Sequence, residues 1–129
     1  MKLSDAALAK QILIVDDSHI NQRILCKWLE KVKHQFIDVA ANGREAVDMV
    51  KARPSAYGLI LMDSLMPVMG GQEATRLIRD MGLDVPIIAM IGHSEKNREL
   101  FLTPWFDDYL SKPVRGRPLH ELMMKWLDW

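Results

Sequence analysis

The chain of 129 residues is notable first for what it lacks, namely cysteine pairs, a net charge and long apolar runs. Its single cysteine, Cys26, cannot form an internal disulfide, which is typical of a reducing compartment and favours a cytoplasmic location. Lys plus Arg and Asp plus Glu both number 17, so the formal net charge of zero provides no general attraction for nucleic acid or for an anionic membrane. No apolar run approaches the roughly 18 residues of a membrane span.

The length and composition are those of a single globular domain. Hydrophobic residues make up 49% of the chain and charged residues 26%, which is typical of a soluble protein with a sizeable core. The opening residues, MKLSDAALAK, contain no long apolar stretch and do not have the pattern of a signal peptide. We expect residues 1–10 to be an N-terminal stub or linker and residues 11–129 to form the domain.

Short apolar runs alternate with segments of helical spacing along the chain. The runs predict five strands, at Ile12–Val15, Phe36–Ala40, Leu59–Met62, Ile87–Ile91 and Tyr109–Leu110. Four of the intervening segments carry apolar residues at three- and four-residue steps, the clearest at Ile20, Ile24, Leu25, Trp28, Leu29 and Val32. A further helix, over SEKNRELFL, has the weakest pattern. Strands that are apolar throughout and alternate with helices predict a parallel sheet covered on both faces, with the helical stripes in its core.

Charged residues follow three of the predicted strands at the point where each strand ends. Asp16 and Asp17 follow the first strand, Asp63 the third and Lys112 the fifth. Binding sites in open α/β sheets form outside the carboxyl ends of the strands, so we expect these four side chains to meet at one edge. Three clustered carboxylates require a cation, and Mg²⁺ suits few carboxylates completed by water. An ammonium opposite them suits a phosphate oxygen, which predicts a place to hold a phosphoryl group on an acidic residue.

Each of these residues also has an ordinary structural interpretation. Asp17 or Ser18 is suited to cap the helix that follows, Asp63 to cap a loop, and Lys112 to lie in solvent. Their joint position at strand ends favours the functional interpretation over four separate coincidences. The histidines have no metal-ligand spacing and are expected to be surface or packing residues; they are His19, His34, His93 and His120.

Several stretches of the sequence resemble the receiver domain of two-component response regulators. They are ILIVDDSHINQRIL, AANGREAV, LILMDSLMPVMGG, PIIAMIG and DDYLSKP, and the DDSHIN segment is similar to receivers of hybrid sensor histidine kinases. The resemblance covers nearly the whole chain, from about Ile12 to Trp129. It implies a flavodoxin-like (βα)5 doubly wound parallel sheet of strand order 2-1-3-4-5, in a phosphorelay module that is not an enzyme in its own right.

The resemblance also implies a role for individual residues. Asp63 corresponds to the phosphoacceptor, supplied by a histidine kinase or a histidine phosphotransfer protein. Asp16, Asp17, Asp63 and the backbone carbonyl of Leu65 correspond to the Mg²⁺ ligands. Lys112 corresponds to the residue that contacts the phosphoryl group, and Tyr109 to the aromatic residue of the conformational switch.

Two positions depart from the family pattern. The switch hydroxyl, a Thr or Ser in the family, falls on Ile91, and the glycine expected before the last strand is Trp105. The family positions that tune hydrolysis of the phosphoryl group fall on Leu65 and His93. An apolar cluster before the last strand is expected to face a downstream protein partner; its members are Leu100, Phe101, Pro104, Trp105 and Phe106.

Three other functions compete with phosphoryl acceptance. A degenerate receiver would act as a phosphorylation-independent protein-binding domain, which Ile91 favours and the complete acidic set disfavours. An aspartyl phosphatase of the haloacid-dehalogenase type needs a second acid two residues after the nucleophile, where this chain has Leu65. A flavin-binding flavodoxin would place a phosphate against Asp16 and Asp17, which would repel it.

Overall fold

The computed structural model describes residues 2–92 and 105–127 of the chain. In those ranges the strands are β1 (Gln11–Val15), β2 (Ile37–Ala40), β3 (Tyr57–Asp63), β4 (Ile87–Ile91) and β5 (Asp108–Ser111). The helices are α1 (Asp5–Leu8), α2 (His19–Lys31), α3 (Gly43–Ala52), α4 (Gly71–Asp80) and α5 (Gly116–Trp126). The helix expected over SEKNRELFL lies outside the described residues. No helix in the described part of the chain combines the length and apolar character that crossing a membrane requires.

The strands form one parallel sheet in the order β2-β1-β3-β4-β5. This confirms the flavodoxin-like, doubly wound arrangement. The strands alternate their side chains between two separate cores, as their period of two requires. Ile12 and Ile14 of β1 pack on one face with α1, α2 and α5, whereas Leu13 and Val15 pack on the other with α3 and α4. Burial on both faces explains why the strands are apolar throughout.

The helices α2 and α3 each begin after a residue whose side chain accepts a backbone hydrogen bond. The Ser18 hydroxyl accepts a hydrogen bond from the Asn21 amide at 3.3 Å, so Ser18, and not Asp17, caps α2. The Asn42 side chain caps α3 in the same way through the amide of Glu45. After α4 the chain turns at Gly82 with a φ of 81°, a conformation that glycine adopts without strain. The Ser18 and Asn42 caps start α2 and α3 within a few residues of the preceding strands.

The N-terminal residues, expected to be a stub or linker, pack against the sheet. Leu3 and Ala7 are buried in the core that α2 and α5 share. The Lys10 ammonium donates to the carbonyl of Leu127 at 2.7 Å, and the carbonyl of Lys10 lies 2.6 Å from Nε2 of the buried His34. This segment therefore closes one side of the described domain.

The apolar stripe of α2 is only partly in the core. Leu25 and Leu29 are buried, as expected, but Ile20 is 72% exposed and Ile24 is 37% exposed. The expectation that the whole stripe packs inside was wrong for Ile20 and Ile24, which lie in the first two turns of α2. Two isoleucines are thus left in solvent near the carboxyl ends of the strands.

Candidate functional site

The three carboxylates predicted to converge do so at the carboxyl edge of the sheet. Asp16 and Asp17 follow β1, Asp63 ends β3, and these strands are neighbours with Val15 paired to Met62. One carboxylate oxygen from each residue lies within 4.8 Å of the others. Asp16 and Asp63 are buried, and Asp17 is exposed. The cluster therefore opens to solvent on the side of Asp17.

Local hydrogen bonds orient Asp16. The amide of Ser18 donates to Oδ1 of Asp16 at 2.9 Å, and the side chain of Gln22 donates to its backbone carbonyl at 2.6 Å. Both donors belong to the cap and the first turns of α2, so the helix and the carboxylate are placed by the same contacts. Gln22 was not singled out in the sequence, where only its position four residues after the helix cap marks it as a neighbour of Asp16.

Lys112 meets the cluster from the last strand. It follows β5, its backbone amide donates to the carbonyl of Ile91 at 2.8 Å, and its ammonium donates a short hydrogen bond to Oδ1 of Asp63. The Lys112–Pro113 peptide bond is cis. The predicted meeting of three carboxylates and one ammonium is therefore present in the structure.

The electrostatics of Asp63 are those of a buried acid among like charges. Burial, together with the charges of Asp16 and Asp17, raises the pKa of Asp63 to about 6, although the hydrogen bond and charge of Lys112 act in the opposite direction. One ammonium does not balance three carboxylates. The site as built thus favours an additional cation.

The donor set fits a hard divalent ion such as Mg²⁺. All side-chain ligands are carboxylate oxygens, and the exposed side of the cluster at Asp17 leaves access for water. The loop after β3 is held close by the amide of Ser64, which donates to the carbonyl of Met90 at 3.2 Å, and by the amide of Gly71, which donates to the carbonyl of Ser64 at 3.2 Å. These bonds define the path of the backbone on either side of Leu65.

Glycine is required directly behind Asp63. A Cβ atom on Gly71 would lie 2.1 Å from the carbonyl oxygen of Asp63, a distance that no side chain can occupy. The start of α4 therefore approaches the backbone of Asp63 more closely than any other residue type would allow. This contact holds the main chain of Asp63 in place.

The residues of the family switch occupy contrasting environments. Ile91, at the end of β4, is fully buried in the core beside α3 and α4, and its side chain offers no hydrogen-bond donor. Tyr109, on β5, is 44% exposed. Leu65 is 60% exposed, and His93 lies outside the described residues.

The apolar cluster expected to face a partner is divided by the structure. Phe106 is buried, which corrects its assignment to an exposed surface, because its side chain packs in the core that α4 and β4 share. Trp105 is half-buried, and Leu100, Phe101 and Pro104 lie outside the described residues.

An arginine that the sequence did not single out secures the corner before β5. The guanidinium of Arg79 donates to the carbonyls of Trp105, Leu83 and Val85 and pairs with Asp107 at 2.8 Å. A basic residue in the last turn of a helix is a common feature, and that is the only signal of Arg79 in the sequence. Arg79 ties α4 to the chain that enters β5.

A doubly wound parallel sheet with three carboxylates and a lysine at its carboxyl edge defines a class of flavodoxin-like domains with an acidic site. The family model of the response regulator receiver domain matches residues 12–124. The chain therefore belongs to the response regulator receiver domain family, whose members are signalling modules of two-component systems and phosphorelays.

Known proteins and structures support this membership. The chain is 41% identical over 126 residues to Two-component system protein A of Emericella nidulans; these cover 97% of this chain but only 18% of that protein. It aligns with a co-crystal structure of the Saccharomyces cerevisiae histidine phosphotransfer signaling protein Ypd1 and the receiver domain of its downstream response regulator Ssk1. The TM-score is 0.80 and the identity 33%, over 92% of this chain and 88% of that one.

A second solved structure bears on the acidic cluster. The receiver domain of sensor histidine kinase PA1611 from Pseudomonas aeruginosa aligns with a TM-score of 0.80 and 32% identity, over 92% of this chain and 97% of that one. That domain has a magnesium ion coordinated in its active site cleft.

Proposed function

We propose that Asp63 accepts a phosphoryl group from a phosphohistidine donor, either a histidine kinase or a histidine phosphotransfer protein. The observation that carries this proposal is the convergence of Asp16, Asp17 and Asp63 with the Lys112 ammonium on Asp63. Asp63 is the residue in contact with both the acidic pair and the ammonium. Such a cluster places three carboxylates together, where they repel one another, so it favours a functional role over a structural one.

Each residue of the site has a distinct part in the transfer. Asp63 is mainly ionised above its pKa of about 6, so its oxygen is available to attack phosphorus at neutral pH. A phosphorus–oxygen bond forms as the phosphorus–nitrogen bond of the donor breaks, and the electron pair returns to the donor imidazole. The ammonium of Lys112 then contacts a phosphoryl oxygen.

Asp16, Asp17, Asp63 and the backbone carbonyl of Leu65 are the residues that would hold Mg²⁺. When bound, the ion supplies positive charge to the phosphoryl oxygens. Asp16 brings one carboxylate oxygen already engaged by the Ser18 amide, which leaves the other for a cation.

The exposed apolar side chains around the carboxylates form a docking rim for the donor. We define this rim by Ile20 and Ile24 of α2 and by Leu65 and Val68 of the loop after β3. Ile20, Leu65 and Val68 are each more than half exposed, and none of them belongs to either core of the described residues. A donor that buries the rim would bring its phosphohistidine to the open side of the site. The yeast complex of a phosphotransfer protein with a receiver domain is consistent with such a partner.

A direct experiment tests Asp63. Incubation with acetyl phosphate and Mg²⁺ is expected to add one phosphoryl group to the wild-type chain, and Asp63→Asn is expected to remove this labelling. Asp48→Asn is the matched control, because Asp48 is an exposed acid on α3 outside the site. Undiminished labelling of Asp63→Asn, measured by intact mass, would overturn the assignment.

The second candidate is a phosphorylation-independent binding domain. The buried Ile91 favours it, since the family's switch hydroxyl is absent from this position. In that case Trp105 and Tyr109 would contact a downstream protein in the same way with and without phosphate. Measurements of Mg²⁺ affinity and of labelling by acetyl phosphate separate the two functions, because only the first requires Asp63 to bind the ion and to accept a phosphoryl group.

The lifetime of the phosphorylated form depends on Leu65. Its exposed apolar side chain lies two residues after Asp63 and cannot orient an attacking water, so we expect slow hydrolysis. Leu65→Asn is expected to shorten the lifetime several-fold, and Leu65→Met, which keeps an apolar side chain, is the control. His93 is the other tuning position, and it lies outside the described residues. A Leu65→Asn variant no faster than the control would contradict this role.

A further inference from the structure

Trp28 lies in the third turn of α2 and contacts the chain that follows Lys112. Its indole N–H donates to the carbonyl of Val114 at 3.1 Å. Val114 is only two residues after Lys112, and its own side chain is buried in the core. A hydrogen bond between residues 86 positions apart in the sequence thus connects α2 to the segment from Lys112 to Gly116, which we call the lysine segment.

The same indole ring is packed against the first residue of α5. A Cβ atom on Gly116 would lie 2.6 Å from Cε3 and 2.7 Å from Cζ3 of Trp28, so only glycine fits beneath the ring. Lys31 places its ammonium 4.7 Å from the centre of the indole, which adds a favourable contact with the ring. Trp28 therefore contacts the lysine segment at two points, Val114 and Gly116.

The lysine segment is held at both ends. At the start, the Lys112 amide donates to the carbonyl of Ile91. At the end, the segment is held by Trp28. Between these points a narrow cavity separates α2 from the segment, lined among others by Asp16, Ile24, Lys112 and Pro113. Beside this cavity, the Trp28 contacts with Val114 and Gly116 join α2 to the segment.

We propose that Trp28 is a positioning residue for phosphoryl transfer, which braces the lysine segment against α2 so that the Lys112 ammonium is held at Asp63. The inference rests on the proposed role of Lys112 in contacting the phosphoryl group. Trp28 does not touch the reacting atoms; it acts through the backbone of Val114. An aliphatic residue or phenylalanine would fill space on α2 but would leave the Val114 carbonyl without this donor.

The decisive variant is Trp28→Phe, which retains an aromatic ring and removes the N–H. The matched control is Trp126→Phe, because the Trp126 indole also donates one hydrogen bond, at 3.0 Å, but to Asp108 on β5. Three quantities are measured for both variants and the wild type. They are the hydrogen-exchange rate of the Lys112 amide, the rate of labelling by acetyl phosphate, and the dissociation constant for Mg²⁺.

In Trp28→Phe we expect the Lys112 amide to exchange about fivefold faster and labelling to be about fivefold slower, the factor that one ordinary hydrogen bond provides. The Mg²⁺ dissociation constant should not change, because Trp28 contacts none of the three carboxylates. A general loss of stability would instead speed exchange throughout the sheet. Trp126→Phe should leave all three quantities at wild-type values.

A second variant tests the ring contact independently. Gly116→Ala introduces a methyl group against the indole and should slow labelling to a similar extent. In a Trp28→Leu background, the same substitution should cause little further slowing, since the ring that it meets is gone. If Gly116→Ala and Trp28→Leu slow labelling additively, the proposed positioning role of Trp28 is wrong.

The outcomes separate this inference from the proposed function. An unchanged hydrogen-exchange rate of the Lys112 amide in Trp28→Phe would overturn the positioning role of Trp28. Faster exchange with an unchanged labelling rate would also overturn it. A wild-type chain that takes no label overturns the proposed function; exchange at Lys112 then decides by itself whether Trp28 holds the segment, since that measurement needs no phosphate.

Discussion

At the scale of the residue, the fold disfavours the ionised form of Asp63. Its pKa of about 6 in the folded chain exceeds the ordinary value of 3.8, so the folded state holds the proton more tightly than the unfolded one. Without metal, stability therefore falls as the pH rises from about 4 to about 6 and stays lowered above that range. The ionised carboxylate is a local cost that a bound cation would offset.

We therefore expect Asp63→Asn to stabilise the metal-free protein. At pH 7.5 in the presence of a chelator, the free energy of unfolding should rise by up to about 3 kcal/mol, which corresponds to a pKa difference of about two. Near pH 4, where the wild-type carboxyl is protonated, the gain should nearly vanish. Urea denaturation at both pH values measures it, with Asp48→Asn as the control. A variant less stable than wild type at pH 7.5 would contradict the electrostatic account.

At the scale of the element, β4 and β5 contain the two residues of the family switch. Ile91 of β4 replaces the usual hydroxyl residue, and Tyr109 of β5 is the aromatic residue. A hydrogen bond from a hydroxyl to a charged phosphoryl oxygen contributes about 1.5–3 kcal/mol, comparable to the roughly 1–3 kcal/mol on which coupling between sites rests. Ile91 cannot donate such a bond and is fully buried. The link from Asp63 to Tyr109 on β5 should therefore be weak.

Amide NMR with beryllofluoride and Mg²⁺ tests this coupling. In the wild type we expect shift changes confined to the site around Asp63, with little response at Tyr109 and in α5. Ile91→Thr should extend the changes to β5, and Ile91→Val, which keeps a branched apolar side chain, should not. Wild-type changes as large at Tyr109 as at Asp63 would show that the coupling survives without the hydroxyl.

The strands and helices were predictable from the sequence where a single effect, such as burial or helix capping, determines the residue type. Runs such as Ile12–Val15 mark strands because burial on both faces leaves no polar position, and Ser18 marks a helix start because its side chain accepts a backbone hydrogen bond. The site followed from which residues end the strands. Tertiary placement was not predictable in this way: the exposure of Ile20, the burial of Phe106 and the bonds of Arg79 depend on which element lies opposite each residue.

At the scale of the whole molecule, the N-terminal segment is part of the packing. Leu3 is 7% exposed and lies in the core shared by α2 and α5. Leu3→Ala should lower the free energy of unfolding by about 2 kcal/mol, because it removes buried apolar surface and leaves a cavity. Lys2→Ala, at an exposed neighbour, should have almost no effect. Equal stability of the two variants in urea denaturation would return residues 1–10 to the role of a linker.

The pairing of β1 with β3 also determines when the site comes into being. Asp63 and Lys112 are 49 residues apart in the chain, and the acidic pair comes from a third, earlier segment. Contacts of such long sequence separation form late and slowly in folding. During synthesis, Lys112 leaves the ribosome well after the three carboxylates beside which it lies in the folded chain. A nascent or partly folded chain therefore has the acidic residues but not the assembled site, so the phosphoryl acceptance that we propose requires the completed sheet.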